Sequence, residues 1–282
     1  MSSPQGETDY PLDNAGEAER LADQHHVLKS FMGGKLVVAP IDLSRPGLRV
    51  LDSGTADGTW LLDLRTSLHD PASCTLVGTD LGGARFPGSP PEGVTFSTQN
   101  ILDPWPKDWH SSFDLVHQRL VLAGAGPQVA DVVKRLLDNV APGGWVQLTE
   151  AAQVVGENDG PAMNHFLALV NELSRSLGTG DTFGEDMVQW VKDAGFVNVE
   201  TKVFPYDLGA KVSDPVLRAK SIKSTCAAIV GLSGWATQLP ERLQCMTPEE
   251  VVTLPSRYRS EIEGQGGSYP MRTVWAQKPL SL

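Results

Sequence analysis

The chain has 282 residues, 40% of them apolar, with 34 acidic against 23 basic side chains and a formal net charge of −11. That is enough apolar material for a full-sized core, and the acidic balance excludes broad electrostatic attraction to nucleic acid. No stretch approaches the ~20 consecutive apolar residues of a membrane helix, and Met1–Tyr10 is polar and lacks a secretion signal's apolar centre. The three cysteines, Cys74, Cys226 and Cys245, are widely spaced and odd in number. They suggest neither a disulfide framework nor a metal site, and a reducing, cytoplasmic setting is expected.

Residues 1–12 read as an arm. Asn14 with Glu17 three residues later predicts a capping box opening a helix that runs to Met32 and closes at Gly33-Gly34. Leu21, Gln24, His25 and Leu28 share one face of that helix. Leu48–Leu51 is a short apolar strand. It enters a turn carrying Gly54 and Gly58, and Trp60, Leu61, Leu64 and Leu68 then recur at helical spacing. Thr75–Asp80, Val94–Ser97 and Phe113–His117 read as further strands, and Val129–Val140 as an amphipathic helix. Pro142-Gly143-Gly144 reads as a turn before a fifth strand, Trp145–Leu148.

Helices are then predicted around Met163–Leu177 and Met187–Ala194, and a strand over Phe196–Phe204. The stretch 206–262 reads as mostly helical, with a helix start at Thr247-Pro248-Glu249-Glu250 and a break at Pro255. Met271–Ala276 reads as a last strand. Strands alternating with helices call for a parallel sheet covered on both faces.

A strand running through Asp52, Gly54, Ala56 and Gly58 into a helix N-terminus is a place where a small ligand meets bare backbone. Asp80 ends the next strand 22 residues after Gly58. An acid there accepts hydrogen bonds from ribose hydroxyls, and no Lys or Arg follows closely enough to receive a 2′-phosphate. Asp52 discriminates between adenosine ligands. A pyrophosphate would sit badly beside its carboxylate, whereas a cationic tail would be comfortable there. An NAD-dependent oxidoreductase is disfavoured on that ground.

These residues and several others resemble the class I S-adenosylmethionine-dependent methyltransferases. The sequence is similar in particular to the fungal group that contains secondary-metabolite methyltransferases and a global regulator of secondary metabolism. The carrying motifs are Tyr10-Pro11-Leu12 with Asn14; Glu19-Arg20-Leu21 with Gln24-His25; Ala39-Pro40-Ile41; Leu51-Asp52-Ser53-Gly54-Thr55; Gly78-Thr79-Asp80-Leu81; Asp103-Pro104-Trp105; Phe113–His117 with Arg119; and Pro142-Gly143-Gly144-Trp145 with Glu150. The match is good over residues 10–205, loose over the last strand and poor over 206–265. Ala56 stands where the group has its middle glycine, and Gln99-Asn100 follow the third strand where an acid is common.

The resemblance implies a Rossmann-like core of seven mainly parallel strands with the last antiparallel. It implies an N-terminal arm and helical lid over 1–45, a cofactor-binding core over 46–205, a helical substrate cap over 206–265 and the last strand over 266–282. The expected activity is methyl transfer from S-adenosylmethionine to a small secondary metabolite, with oxygen ahead of nitrogen and sulfur as acceptor. The alternatives are a regulator on the same fold that binds protein partners and a cofactor-assisted cyclase or pericyclase.

Cofactor contacts are expected from Asp52, Gly54, Thr55, Gly58, Asp80 and Leu81. Asn100 would meet the adenine amino group, Ile101 its ring, and Tyr10 and Arg20 the methionine carboxylate. His117, at the carboxyl end of the fourth strand, is either the proton acceptor or a further cofactor contact. Glu150 is a second catalytic candidate, or a cap on its strand. Gln24, His25, Arg119, Tyr206 and Trp235 are the candidate substrate contacts. His25-His26 lack a third ligand at metal spacing, so no metal is expected. Composition leaves the oligomeric state open.

Overall fold

The computed structural model describes residues 16–152, 159–239 and 243–281. In chain order the elements are α1 (Glu17–Phe31), β1 (Arg49–Ser53), α2 (Thr59–Thr66), β2 (Thr75–Asp80), β3 (Val94–Thr98), β4 (Phe113–Arg119), α3 (Val129–Leu137) and β5 (Val140–Ala151). They continue as α4 (Pro161–Ser176), α5 (Phe183–Asp193), β6 (Val197–Phe204), β7 (Asp207–Leu208), α6 (Pro215–Ala236), α7 (Pro248–Gly264), β8 (Gly267–Ser268) and β9 (Met271–Gln277). They form two compact units. The sheet unit joins Lys35–Ala151, Thr182–Val203 and Arg272–Leu282; the helical unit joins Met1–Gly34, Ala152–Asp181 and Phe204–Met271. Residues 152–181, which the sequence reading puts within the 46–205 core, group with the helical unit.

The sheet has seven strands in the order β3-β2-β1-β4-β5-β9-β6. The first five are parallel. β9 runs antiparallel to β5: Gly143 N donates to Lys278 O, whereas Ala152 N donates to Pro270 O, so partner numbers fall as β5 advances. Asn198 with Gln277 and Thr201 with Thr273 give β6 and β9 the same opposed sense. The expected antiparallel last strand is therefore present, inserted between β5 and β6.

Alternation along the strands feeds two cores. Leu51, Val116, Val146 and Leu148 pack with Val132, Val133 and Leu136 of α3 and Met187 and Val191 of α5. Val50, Leu76, Leu115 and Trp145 pack with Trp60, Leu61 and Leu64 of α2. Each fully buried aliphatic side chain of this kind is worth about 1.5–3 kcal/mol, which fixes the strand register.

Pro142-Gly143-Gly144 is not a turn ahead of the fifth strand. β5 is continuous, and its pairing with β4 jumps from Phe113↔Val140 to Leu115↔Trp145. The three surplus residues form a bulge. Gly143 has φ 78°, and a Cβ on Gly144 would lie 2.9 Å from Phe113 O, so glycine serves a backbone bend there rather than a chain reversal.

In the helical unit, α1 and α6 are joined by Asp23–Lys220 (2.6 Å) and Glu19–Lys223. Glu261 of α7 accepts from Ala162 N and Met163 N and so caps α4. At the expected helix start, Thr247 and Glu250 form a capping box. Pro255 does not break the helix: α7 runs through it, because Val251, Leu254, Tyr258 and Ile262 form one buried stripe that spans the position. Asn14, the expected cap of α1, lies outside the described residues, and the helix opens at Glu17 after Gly16.

Candidate active site

The site is built from the carboxyl ends of β1, β2, β4 and β5 in the sheet unit. After β1 the chain turns through Gly54 (φ 72°) and Gly58 (φ 79°), the second of which starts α2. Both must be glycine. A Cβ on Gly54 would collide with Val121 Cγ2, and one on Gly58 would lie 2.5 Å from Phe96. Thr55 N donates to Thr79 O (2.8 Å), and Ala56 N donates to Asp80 Oδ2 (2.8 Å). The acid ending β2 thus holds the glycine turn through one carboxylate oxygen. Ala56, at the irregular position of the motif, adopts φ 54°, the left-handed region the glycine would occupy without strain.

Asp52, His117 and Gln147 are in direct cross-strand register on β1, β4 and β5 and are all buried. Asp52 Oδ1 lies 2.7 Å from His117 Nδ1, and Asp52 Oδ2 accepts from Thr55 Oγ1 (2.6 Å). The Trp60 ring stacks on the imidazole, centroids 3.6 Å apart and 1° from parallel. With a carboxylate as partner, Nδ1 carries the proton and Nε2 keeps its lone pair. Burial pushes the His117 pKa below its ordinary value, the hydrogen bond and charge of Asp52 oppose this, and the charge of Arg119 adds to the lowering. The ring is therefore neutral near pH 7. Gln147 accepts from Val38 N (2.7 Å) and donates to Leu36 O (2.9 Å), tying the segment before β1 to β5.

On the opposite face of the same strands, Ser53 Oγ donates to Gln118 Oε1 (2.9 Å), and the buried Gln118 Nε2 has no hydrogen-bond partner among the described residues. Glu150, at the end of β5, is 2% exposed. One of its oxygens accepts from both Val121 N (2.8 Å) and Leu122 N (2.9 Å). Burial raises its pKa to about 7, although the two amides favour the ionised form. Leu120 has φ 57° and donates its N–H to Thr149 O. Arg119 is half-buried at the end of β4.

After β2, Leu81 is 53% exposed, a large apolar side chain beside Asp80. Asn100 Oδ1, expected to receive an adenine amino group, also accepts from Leu102 N (2.9 Å) and closes a local turn. Ile101 is half-buried against the core.

Asp52, Thr55, Asp80 and His117 are thus linked directly or through the turn backbone. Arg20, Gln24, His25, Tyr206 and Trp235 belong to the helical unit. Arg20 forms a two-point pair with Glu17 (2.7 and 2.8 Å), so its Nε and Nη2 already have a carboxylate. Gln24 is half-buried and His25 buried, with its ring edge-on to His26. Tyr206 is buried and edge-on to Phe31, centroids 6.1 Å apart. Trp235 is half-buried on α6. Tyr10 lies outside the described residues. Among the described residues, no group of three or more His, Cys, Asp or Glu side chains is placed to hold a metal.

Trp60, Gln118 and Gln147 were not singled out from sequence as site residues. Strand alternation carries the signal for two of them, since Gln147 falls at the interior position facing His117 and Gln118 on the face of Leu51 and Val116. Trp60 read only as an apolar helix position.

A mainly parallel sheet of this order with β9 antiparallel, and a glycine turn headed by one acid and clasped by a second at the end of β2, defines a class I S-adenosylmethionine-dependent methyltransferase. A family model described as a methyltransferase domain matches residues 23–201, and the chain belongs to that family. Methyltransferase psoC of Aspergillus fumigatus is 39% identical over 87% of this chain and 88% of its own length. N-methyltransferase gliN of Aspergillus fumigatus is 36% identical over 98% and 99%. N-methyltransferase sirN of Leptosphaeria maculans is 34% identical over 97% and 96%. Among solved structures, the putative methyltransferase of Haloferax volcanii, in complex with the Trm112 methyltransferase activator, superposes with a TM-score of 0.55 at 15% identity, covering 97% of this chain and 100% of that one. It shares the fold.

The residues present fit S-adenosylmethionine. The half-buried Asp80 at the end of β2, the half-buried Gly54, Ala56 and Asp57 of the turn, and the apolar Leu81 and Ile101 suit a ribose and an adenine ring, while Asp52, buried behind the turn, adds negative charge that suits a cationic tail.

Proposed function

We propose that this enzyme methylates a nitrogen of a small secondary metabolite, with His117 as the proton acceptor. Oxygen was the acceptor expected from sequence. Relatives matched over nearly their whole length and named N-methyltransferases favour nitrogen instead.

The cofactor supplies an electrophilic methyl group on a sulfonium. Asp80 is assigned to its ribose, Asp52 and the Gly54–Gly58 turn to its charged tail, and Leu81, Asn100 and Ile101 to its adenine. The protein's main contribution is to hold donor and acceptor in line, worth up to ~7–11 kcal/mol in well-oriented systems. An N–H or O–H acceptor sheds a proton as the methyl group arrives. His117 is suited to take it at Nε2, because Asp52 fixes the proton on Nδ1 and Trp60 fixes the ring plane. That ordered, neutral imidazole, two residues before the carboxyl end of β4, is the observation that carries the role. Of the expected acceptor contacts, Gln24, His25, Tyr206 and Trp235 fall in the helical unit, and Arg119 lies at the end of β4 in the sheet unit. Free Cys74, Cys226 and Cys245 support a reducing, cytoplasmic place of action.

The test is turnover on a panel of small N–H, O–H and S–H acceptors with isotopically labelled S-adenosylmethionine, with the labelled atom located by fragmentation. Label on nitrogen supports the reading, and label confined to oxygen or sulfur overturns the acceptor assignment. His117→Ala is expected to lower turnover on the order of 10²–10⁴-fold with S-adenosylhomocysteine affinity kept. Equal loss in both would make His117 a cofactor contact.

A further inference from the structure

We infer that Glu150 is a positioning residue for the donor half of the site: from the end of β5 its carboxyl holds the backbone after β4 in the conformation that seats Val121 against the glycine turn. The inference rests on donor binding at that turn.

Three contacts fix the segment. Leu120 N donates to Thr149 O, and Val121 N and Leu122 N both donate to one oxygen of Glu150. The backbone they hold is one that leucine seldom adopts, with Leu120 at φ 57°. Such a conformation persists only where its surroundings over-determine it. The side chain delivered is Val121, which fills the space behind Gly54 so closely that no Cβ fits on that glycine. A chain of contact therefore runs from the β5 carboxyl to the first turn of the cofactor motif. One Glu150 oxygen already accepts from two main-chain amides, a geometry suited to shaping the site rather than to taking a proton from an acceptor.

Removing the carboxyl leaves two buried amides without their acceptor, and the left-handed residue is then free to relax. Val121 moves off Gly54, and the turn loses its support. A glutamine keeps an acceptor oxygen at the same place.

The experiment measures S-adenosylhomocysteine affinity by calorimetry, together with KM for S-adenosylmethionine and kcat, on the full chain. Glu150→Ala is expected to weaken affinity and raise KM by about tenfold or more, with kcat at saturating donor changed less. Glu150→Gln is expected to restore both to within about threefold of the parent. Val121→Ala, which leaves the Glu150 hydrogen bonds in place, is expected to raise KM in the same direction. Glu150→Gln with normal affinity and lost turnover would overturn the inference in favour of a role at the acceptor. Folded Glu150→Ala or Val121→Ala with parental affinity would overturn it as well. Failure of the parent protein to bind S-adenosylhomocysteine would instead overturn the cofactor assignment on which it rests.

Discussion

Asp52 and His117 stand in register on adjacent parallel strands and share a 2.7 Å hydrogen bond between two buried side chains. The pair sets both the tautomer and the charge of the imidazole. Burial lowers the histidine's pKa and Asp52 partly restores it. Asp52→Asn removes the restoring charge and allows the ring to turn over. Turnover should fall on the order of 10²–10⁴-fold. The acid limb of the kcat–pH profile, set by a histidine that must be neutral to accept a proton, should move to lower pH. A limb that stays in place would show that another group titrates there.

Asp80 connects to the same site through backbone. One of its oxygens already holds Ala56 N, so a substitution removes a turn contact along with the expected ribose contact. Asp80→Ala should weaken S-adenosylhomocysteine binding by about 1.5–3 kcal/mol for the lost hydrogen bond to a charged group, with a further loss from the released turn. Thermal unfolding without ligand should fall by only a few degrees, because the residue is half-buried and outside both hydrophobic cores. Calorimetry and a melt on the same sample check both parts.

The glycine turn makes opposite predictions at neighbouring positions. Gly54→Ala places a methyl group into Val121 and asks alanine to hold φ 72°. It should destabilise by about 2 kcal/mol or more and abolish cofactor binding. Ala56→Gly relieves a left-handed alanine, worth about 1–2 kcal/mol, and adds unfolded-state freedom worth about 0.4–1 kcal/mol. Its melting temperature should therefore stay level or rise slightly, with affinity unchanged. A large loss of affinity in Ala56→Gly would mean that the methyl group itself contacts the cofactor.

The succession of strands along the chain and the β1 turn were legible because they rest on local chemistry. Apolar runs such as Leu48–Leu51 have few other fates, and Gly54 and Gly58 mark the left-handed backbone their neighbours exclude. The bulge at Pro142–Gly144 was not legible, since a Pro-Gly-Gly run has the same local preference in a bulge as in a turn and only the β4 register separates them. Pro255 misled for a similar reason: its helix survives through the tertiary burial of Val251, Leu254, Tyr258 and Ile262, which local propensity does not report. In the site, Asp52, Asp80 and His117 carried recognisable types at or near the carboxyl ends of recognisable strands, although β4 runs two residues past His117. The stacking of Trp60 on His117 and the clasp of Glu150 on Val121 join residues 57 and 29 positions apart, and their chemistry exists only once the strands are paired.

Glu150 also gives the protein a pH dependence that one substitution isolates. Its folded-state pKa is raised from 4.5 to about 7 by burial. A raised carboxyl binds its proton more tightly in the folded state. Its stabilising contribution is therefore complete below the unfolded value and is lost as pH rises through about 7. The buried His117 acts in the opposite sense, with stability lost as pH falls through its depressed folded value. The two effects overlap, so the parent protein's melting curve against pH is a poor guide to either. The difference between Glu150→Gln and the parent removes the histidine. That difference should favour the glutamine variant increasingly between pH 5 and pH 8, by roughly 2–3 kcal/mol in total, or several degrees in melting temperature. A difference that stays flat across this range would mean that Glu150 remains ionised in the folded protein, its two amide hydrogen bonds outweighing the cost of burial.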